Sequence, residues 1–136
     1  MNKYGARSVE RDGFRFASQA EFLRYCDLRT LERSRQISNL EVHPRFRIAI
    51  GGKPICEYVA DFRYLQDGVR VVEDVKGVRT AVYVLKKKLM SAVLGIFVRE
   101  VAAGDYRMRR PRSSKSSGMS AARAKRPGAG LITCRR

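Results

Sequence analysis

Two aspartates and a lysine carry the first chemistry in this chain. Asp61 and the run Asp74-Val75-Lys76 lie on either side of an Asp67-Gly68 dipeptide. Asp-Gly between β-rich runs predicts a two-residue hairpin loop with positive φ at both positions. With Gln66 facing Val69, counting back along both strands puts Asp61 directly opposite Asp74. Cross-strand partners hold their Cβ atoms roughly 4.5–5.5 Å apart on one face. Alternation places Lys76 on that face too, and Glu73 on the other with Val71 and Val75.

Like charges directly opposed in a sheet are destabilising. The neighbours Tyr58, Val59, Ala60, Phe62, Val72 and Val75 are largely apolar and raise that cost. A divalent cation resolves it. Carboxylates at this spacing, completed by waters and a phosphate oxygen, suit Mg²⁺, with Mn²⁺ as a substitute. Lys76 beside them can hold an attacking water or the phosphate oxygens, where charge builds in the transition state. Asp-x-Lys alone is common by chance, and an exposed sheet can carry such groups as solvated charges. The hairpin register and the apolar flanks are what favour a site.

The elements that must position these groups read as mixed α and β. Ser18-Gln19-Ala20-Glu21 is a capping box that opens a helix to about Ser34. Extended segments follow: His43–Ile50 ending at Gly51-Gly52, then Ile55–Gln66, then Val69–Lys76. Thr80 caps a second helix over Ala81–Leu94, and a last strand covers Ile96–Val101. The expected order is α-β-β-β-α-β, an α+β chain with a mixed sheet and no internal repeats.

Lys and Arg number 29 against 13 Asp and Glu, a net charge of +16. Such a surplus repels itself, and a polyanion is the partner that makes it useful. DNA or RNA comes first. An anionic membrane surface comes second, but neither a basic amphipathic helix nor a lipidation signal is present. No apolar run spans a bilayer, so no membrane partner is expected. Cys26, Cys56 and Cys134 form no Cys-x-x-Cys pair, which excludes a zinc site or disulfide framework of the usual spacing and fits a reducing cytoplasm. Composition changes near Gly104, dividing the chain into one domain, residues 1–104, and a basic tail, residues 105–136. From Tyr106 to Arg136 there are ten basic residues and no acidic one, with Ser, Ala, Gly and Pro between them. The tail is expected to be disordered alone, either a solubilising extension or an arm that grips phosphates by charge.

Asp61, the Asp74-Val75-Lys76 strand and the preceding helix with Glu21 resemble the PD-(D/E)xK nuclease superfamily, whose restriction-endonuclease-like core has the same αβββαβ order. Asn2-Lys3-Tyr4-Gly5-Ala6, Phe16-x-Ser18-x-x-Glu21, Tyr58-Val59-Ala60-Asp61-Phe62 and Val72-Glu73-Asp74-Val75-Lys76-Gly77 are similar to a small, mostly phage-encoded nuclease-like family, largely a domain of unknown function. Arg79-Thr80-x-x-Tyr83-x-Leu85-Lys86-x-Lys88 is similar to its next helix. The resemblance covers roughly residues 2–101. It implies Asp61 and Asp74 as metal ligands, with the Val75 carbonyl as a further one. It also implies Lys76 as the group that orients water and stabilises the pentacovalent phosphate, and Glu21 completing the site directly or through water. Glu21 has a competing explanation as the helix cap, and Asp precedes x-Lys where Glu is commoner in the superfamily.

Thr80, Tyr83, Lys86 and Lys87 fall on one helical stripe near the site and, with Arg79, are candidates for phosphate contact, although charge runs on helices are usually solvated. His43, the only histidine, reads as structural or surface. The expectation is a Mg²⁺-dependent endodeoxyribonuclease acting in the cytoplasm, a bacterial host's if phage-encoded. Small members of the superfamily include Holliday junction resolvases, which work as dimers, so branched DNA and a homodimer are expected. The alternatives are a non-catalytic DNA-binding protein on the same fold and an RNA-binding basic protein, which offers no reason for Asp61 opposite Asp74.

Overall fold

Three two-residue loops, Asp12-Gly13, Gly51-Gly52 and Asp67-Gly68, each put both residues at positive φ. This turn's twist matches that of the strands it joins, and each loop closes an antiparallel hairpin. The computed structural model describes residues 7–106. The Asn2–Ala6 motif and nearly all of the basic tail lie outside the described residues.

β1 (Val9–Arg11) and β2 (Phe14–Phe16) form the first hairpin, followed by α1 (Gln19–Arg33), β3 (Ser38–Val42), β4 (Arg45–Ile50), β5 (Lys53–Val59), β6 (Phe62–Gln66), β7 (Val69–Lys76), α2 (Ala81–Leu94) and β8 (Val98–Ala102). A 3-10 turn at Ala103–Tyr106 ends the described chain. The main sheet has the order β3-β6-β7-β8, antiparallel except for the parallel pair β7 and β8. α2 makes the crossover that parallel neighbours require. β4 and β5 pair as a separate ribbon. The class is α+β with a mixed sheet. No helix among the described residues is long and apolar enough to cross a membrane.

Both helices start where their caps lie. Ser18, in extended conformation, accepts the Glu21 amide, and Thr80 accepts the Tyr83 amide. α2 ends on Gly95 in the left-handed conformation. Each face of the sheet buries its own core. On one side Phe62, Tyr64 and Val75 meet Phe16, Tyr25, Cys26 and Leu28 of β2 and α1. On the other, Val72 and Val98 meet Tyr83 and Met90 of α2, and Phe46, Ile48 and Tyr58 of the ribbon.

The element order departs from the expected α-β-β-β-α-β in three places. The β1–β2 hairpin precedes α1, and β3 follows it at Ser38–Val42; strands of three to five residues are too short for alternation to stand out. The stretch Ile55–Gln66 is not one strand. It breaks at Ala60-Asp61, while the neighbouring chain turns at His43-Pro44. The two turns are tied together: the His43 N–H donates to the Asp61 carbonyl at 2.9 Å, and the Ala60 N–H to the Pro44 carbonyl at 3.1 Å. His43 takes φ 54°, an uncommon conformation for a residue other than glycine, to make this corner. Asp61 therefore stands at a bend where two neighbouring segments, β3 into β4 and β5 into β6, pass between the main sheet and the ribbon.

Candidate active site

β7 is the sheet's most buried strand, and it carries acids on both faces: Glu73 is 0% exposed and Asp74 1%. Removing a carboxylate from water costs several kcal/mol unless it is well partnered. The two residues solve this differently. Glu73 faces α1, where Arg24 grips it with two guanidinium nitrogens, Nη2 at 2.9 Å, and the Tyr64 hydroxyl donates at 2.7 Å. That ion pair welds α1 to β7. Asp74 faces the other way. Its Oδ2 accepts the buried Tyr58 hydroxyl and lies 3.3 Å from Lys76 Nζ, and its Oδ1 accepts the Asp61 amide at 3.2 Å.

The hairpin register is the expected one, with Gln66 opposite Val69 and Phe62 opposite Glu73. Asp61 is one residue beyond, across from Asp74. Its Oδ2 accepts the Val75 amide at 2.7 Å, which ties the Asp61 side chain to the backbone of β7. Oδ1 of Asp61 has no hydrogen bond among the described residues. Burial, then the Asp74 charge, then that of Glu21, push Asp61 up to about 8, against the opposing Val75 amide and Lys76. Lys76 spans from Asp74 to the Tyr83 ring, whose centroid is 4.6 Å from Nζ. A cation over a ring face is held there electrostatically.

Glu21 is 4% exposed at the start of α1. Its Oε2 accepts the Ala17 amide at 2.8 Å while its own amide donates to Ser18 Oγ at 3.2 Å. The box is thus reciprocal, though it reaches one residue further out than the cap. Oε1 meets His43 Nε2 at 2.7 Å. Glu21 lies close enough to raise Asp61, yet among the described residues no three His, Cys, Asp or Glu side chains group as a metal-binding set. The aspartate pair with Lys76 is what the fold brings together.

The expected phosphate contacts are engaged internally. Thr80 is the α2 cap. Lys86 donates to the Glu57 carbonyl at 2.8 Å. Arg79, Lys87 and the Tyr83 hydroxyl all converge on Glu100. Four participants escaped sequence reasoning: His43, Tyr58, Arg24 and Glu100. His43 before Pro44 was a visible corner signal, but nothing local pairs it with Glu21. Glu100 stands in parallel register with Asp74, a relation no short motif encodes.

A family described as "Protein of unknown function (DUF1064)" matches residues 1–102. No curated protein matches the chain.

Proposed function

The chain belongs to the DUF1064 family, and we propose that it is a metal-dependent endodeoxyribonuclease of the PD-(D/E)xK kind, hydrolysing DNA phosphodiester bonds. The observation that carries this reading is the Asp61–Asp74 pair. Its two carboxylates are locked by each other's strand, with Lys76 Nζ 3.3 Å from one of them. A buried pair whose members resist joint ionisation is an unstable arrangement in the absence of a cation. Hard oxygen donors fit Mg²⁺ or Mn²⁺, which keep several waters and take the rest of their shell from substrate phosphate.

Asp61 and Asp74 would hold the ion, and Glu21 would act through water from 4% exposure at the head of α1. When bound, the ion polarises the phosphoryl oxygen and lowers the pKa of its water. The chain's own part is electrostatic and positional. Lys76, steadied over the Tyr83 ring, presents its ammonium to the negative charge that gathers on the non-bridging oxygens as water adds to phosphorus and the ester oxygen departs. Tyr58 keeps the Asp74 carboxylate in one orientation, so the donor oxygens need not reorganise. Branched DNA and a homodimer belong to the same proposal. The exposed apolar groups Val82, Leu85 and Phe97 offer surface to a second copy.

Incubation with plasmid, linear and four-way-junction DNA, with Mg²⁺, Mn²⁺ or EDTA, tests the reading. Cleavage with either metal, abolished by EDTA, is the expected result. Lys76→Ala should lose roughly a hundred- to a thousandfold in rate, as removal of one transition-state donor does, with binding retained. Tight binding with no cleavage of DNA under any condition leaves the non-catalytic DNA-binding protein in its place.

A further inference from the structure

Glu100 on β8 is the register partner of Asp74 on β7, so their side chains leave adjacent strands on one face, about 4.8 Å apart along the sheet. Asp61, Asp74 and Glu100 thus form a row across three strands. Glu100 differs from the other two in its company. Arg79 Nη2 pairs with its Oε2, and Lys87 Nζ at 2.8 Å and the Tyr83 hydroxyl at 3.0 Å pair with its Oε1. Tyr83 is also the residue whose ring supports Lys76. The Glu100 side chain is 15% exposed, whereas Arg79 is 68% and Lys87 35% exposed. The anion sits inside and the cations reach in from the rim. Lys87, supported by Tyr83 and Arg79, holds the Glu100 carboxyl below its usual range, so the group is an anion at neutral pH.

A guanidinium, an ammonium and a hydroxyl aimed at one anion are the donors that recognise a phosphodiester. We propose that Arg79, Lys87 and Tyr83 form a binding site for one backbone phosphate of a nucleic-acid strand, and that Glu100 fills it in the free protein. This rests on the functional reading above only in taking nucleic acid as the substrate. An incoming phosphate displaces Glu100, and one singly charged anion replaces another. No bond is made or broken. The resident carboxylate therefore weakens backbone binding at this position without abolishing it. A strand that also engages the aspartate pair through a cation outcompetes it, while a passing polyanion does not.

The test measures binding of a single-stranded oligonucleotide to the full chain in EDTA, where cleavage plays no part, across a salt series. Glu100→Gln should tighten binding severalfold. Arg79→Gln with Lys87→Gln should weaken it and make the slope of log K against log salt shallower by about 0.7, the increment for one phosphate on a single strand. Adding Glu100→Gln to that double variant should then change nothing. If Glu100→Gln weakens binding or leaves it unchanged, with its melting temperature intact, the inference is overturned. Should that variant fold poorly, the rim substitutions decide: an unchanged slope overturns the inference as well. Absence of binding by the wild type sinks this inference together with the nucleic-acid reading. Binding that ignores Glu100 sinks only the inference and leaves the metal-dependent cleavage assay standing.

Discussion

Asp61 and Asp74 each accept a backbone amide from the other's strand: Val75 N–H reaches Asp61 Oδ2 at 2.7 Å, and Asp61 N–H reaches Asp74 Oδ1 at 3.2 Å. Two like charges are thus held together by the main chain, which cannot swing aside as a side-chain partner would. The repulsion is relieved by a proton on the pair when no cation is present.

The pH dependence of stability follows. Asp61 is pushed up to about 8, by burial first and then by Asp74. An acid whose folded pKa is raised favours folding in its protonated form. Its contribution is complete below about pH 4 and is lost as pH rises towards 8. In EDTA the melting temperature should fall between pH 5 and pH 8, with on the order of a few kcal/mol at stake. Asp61→Asn should flatten that decline and melt higher than wild type at pH 8. Thermal melts of both proteins in EDTA across this range check it, and parallel curves would remove the paired-carboxylate account. Excess Mg²⁺ should stabilise the wild type more at pH 8 than at pH 6, because the ion needs Asp61 ionised.

Glu21 separates into its two roles by substitution. Glutamine can still accept the Ala17 amide and meet His43, whereas alanine loses both contacts. Glu21→Ala should cost about 1–2 kcal/mol, the usual loss of a cap, and Glu21→Gln well under that. If the carboxylate serves the chemistry, cleavage falls alike in both. Denaturant melts and initial rates on the same preparations give the comparison, and a fully active Glu21→Gln would make Glu21 a cap alone.

Arg24 is the sole cation on the fully buried Glu73 among the described contacts. Removing one partner of a buried pair strands the other, typically at 3–5 kcal/mol. Arg24→Ala should therefore destabilise the protein by about 3 kcal/mol, measurable in urea. Because the pair joins α1 to β7, the loss should spread to Glu21 and lower cleavage in protein that is still folded.

The parts of this site that were legible in the sequence are those set by local chemistry. Asp67-Gly68 dictates its own turn, at φ 51° and 76°, and the turn dictates which residues face one another. Ser18 and Thr80 mark helix starts through contacts within a few residues. What was not legible joins distant segments. The bend that parts β5 from β6 at Asp61 depends on hydrogen bonds to His43 and Pro44. The engagement of Arg79 and Lys87 by Glu100 depends on a parallel strand pairing across α2. A stripe of basic residues looks free until the strand opposite it is known.

Register is the property the hairpin turn controls, and a change there tests the site without touching any of its residues. Gly68 lies at φ 76° with nothing within 4 Å of where a Cβ would sit. Gly68→Ala therefore pays only backbone strain, about 1–2 kcal/mol, and the pairing of Asp61 with Asp74 survives. Inserting one glycine between Asp67 and Gly68 is different. If the longer loop shifts β6 by one residue, its alternating side chains exchange faces, and Phe62 and Tyr64 would leave their core. The core forbids that shift, so the extra residue should instead bulge at the loop, leaving cleavage and Mg²⁺ stabilisation near wild type at some cost in melting temperature. Loss of Mg²⁺ stabilisation in a protein that still melts cooperatively would show that the turn, rather than the packing of Phe62 and Tyr64, holds Asp61 opposite Asp74.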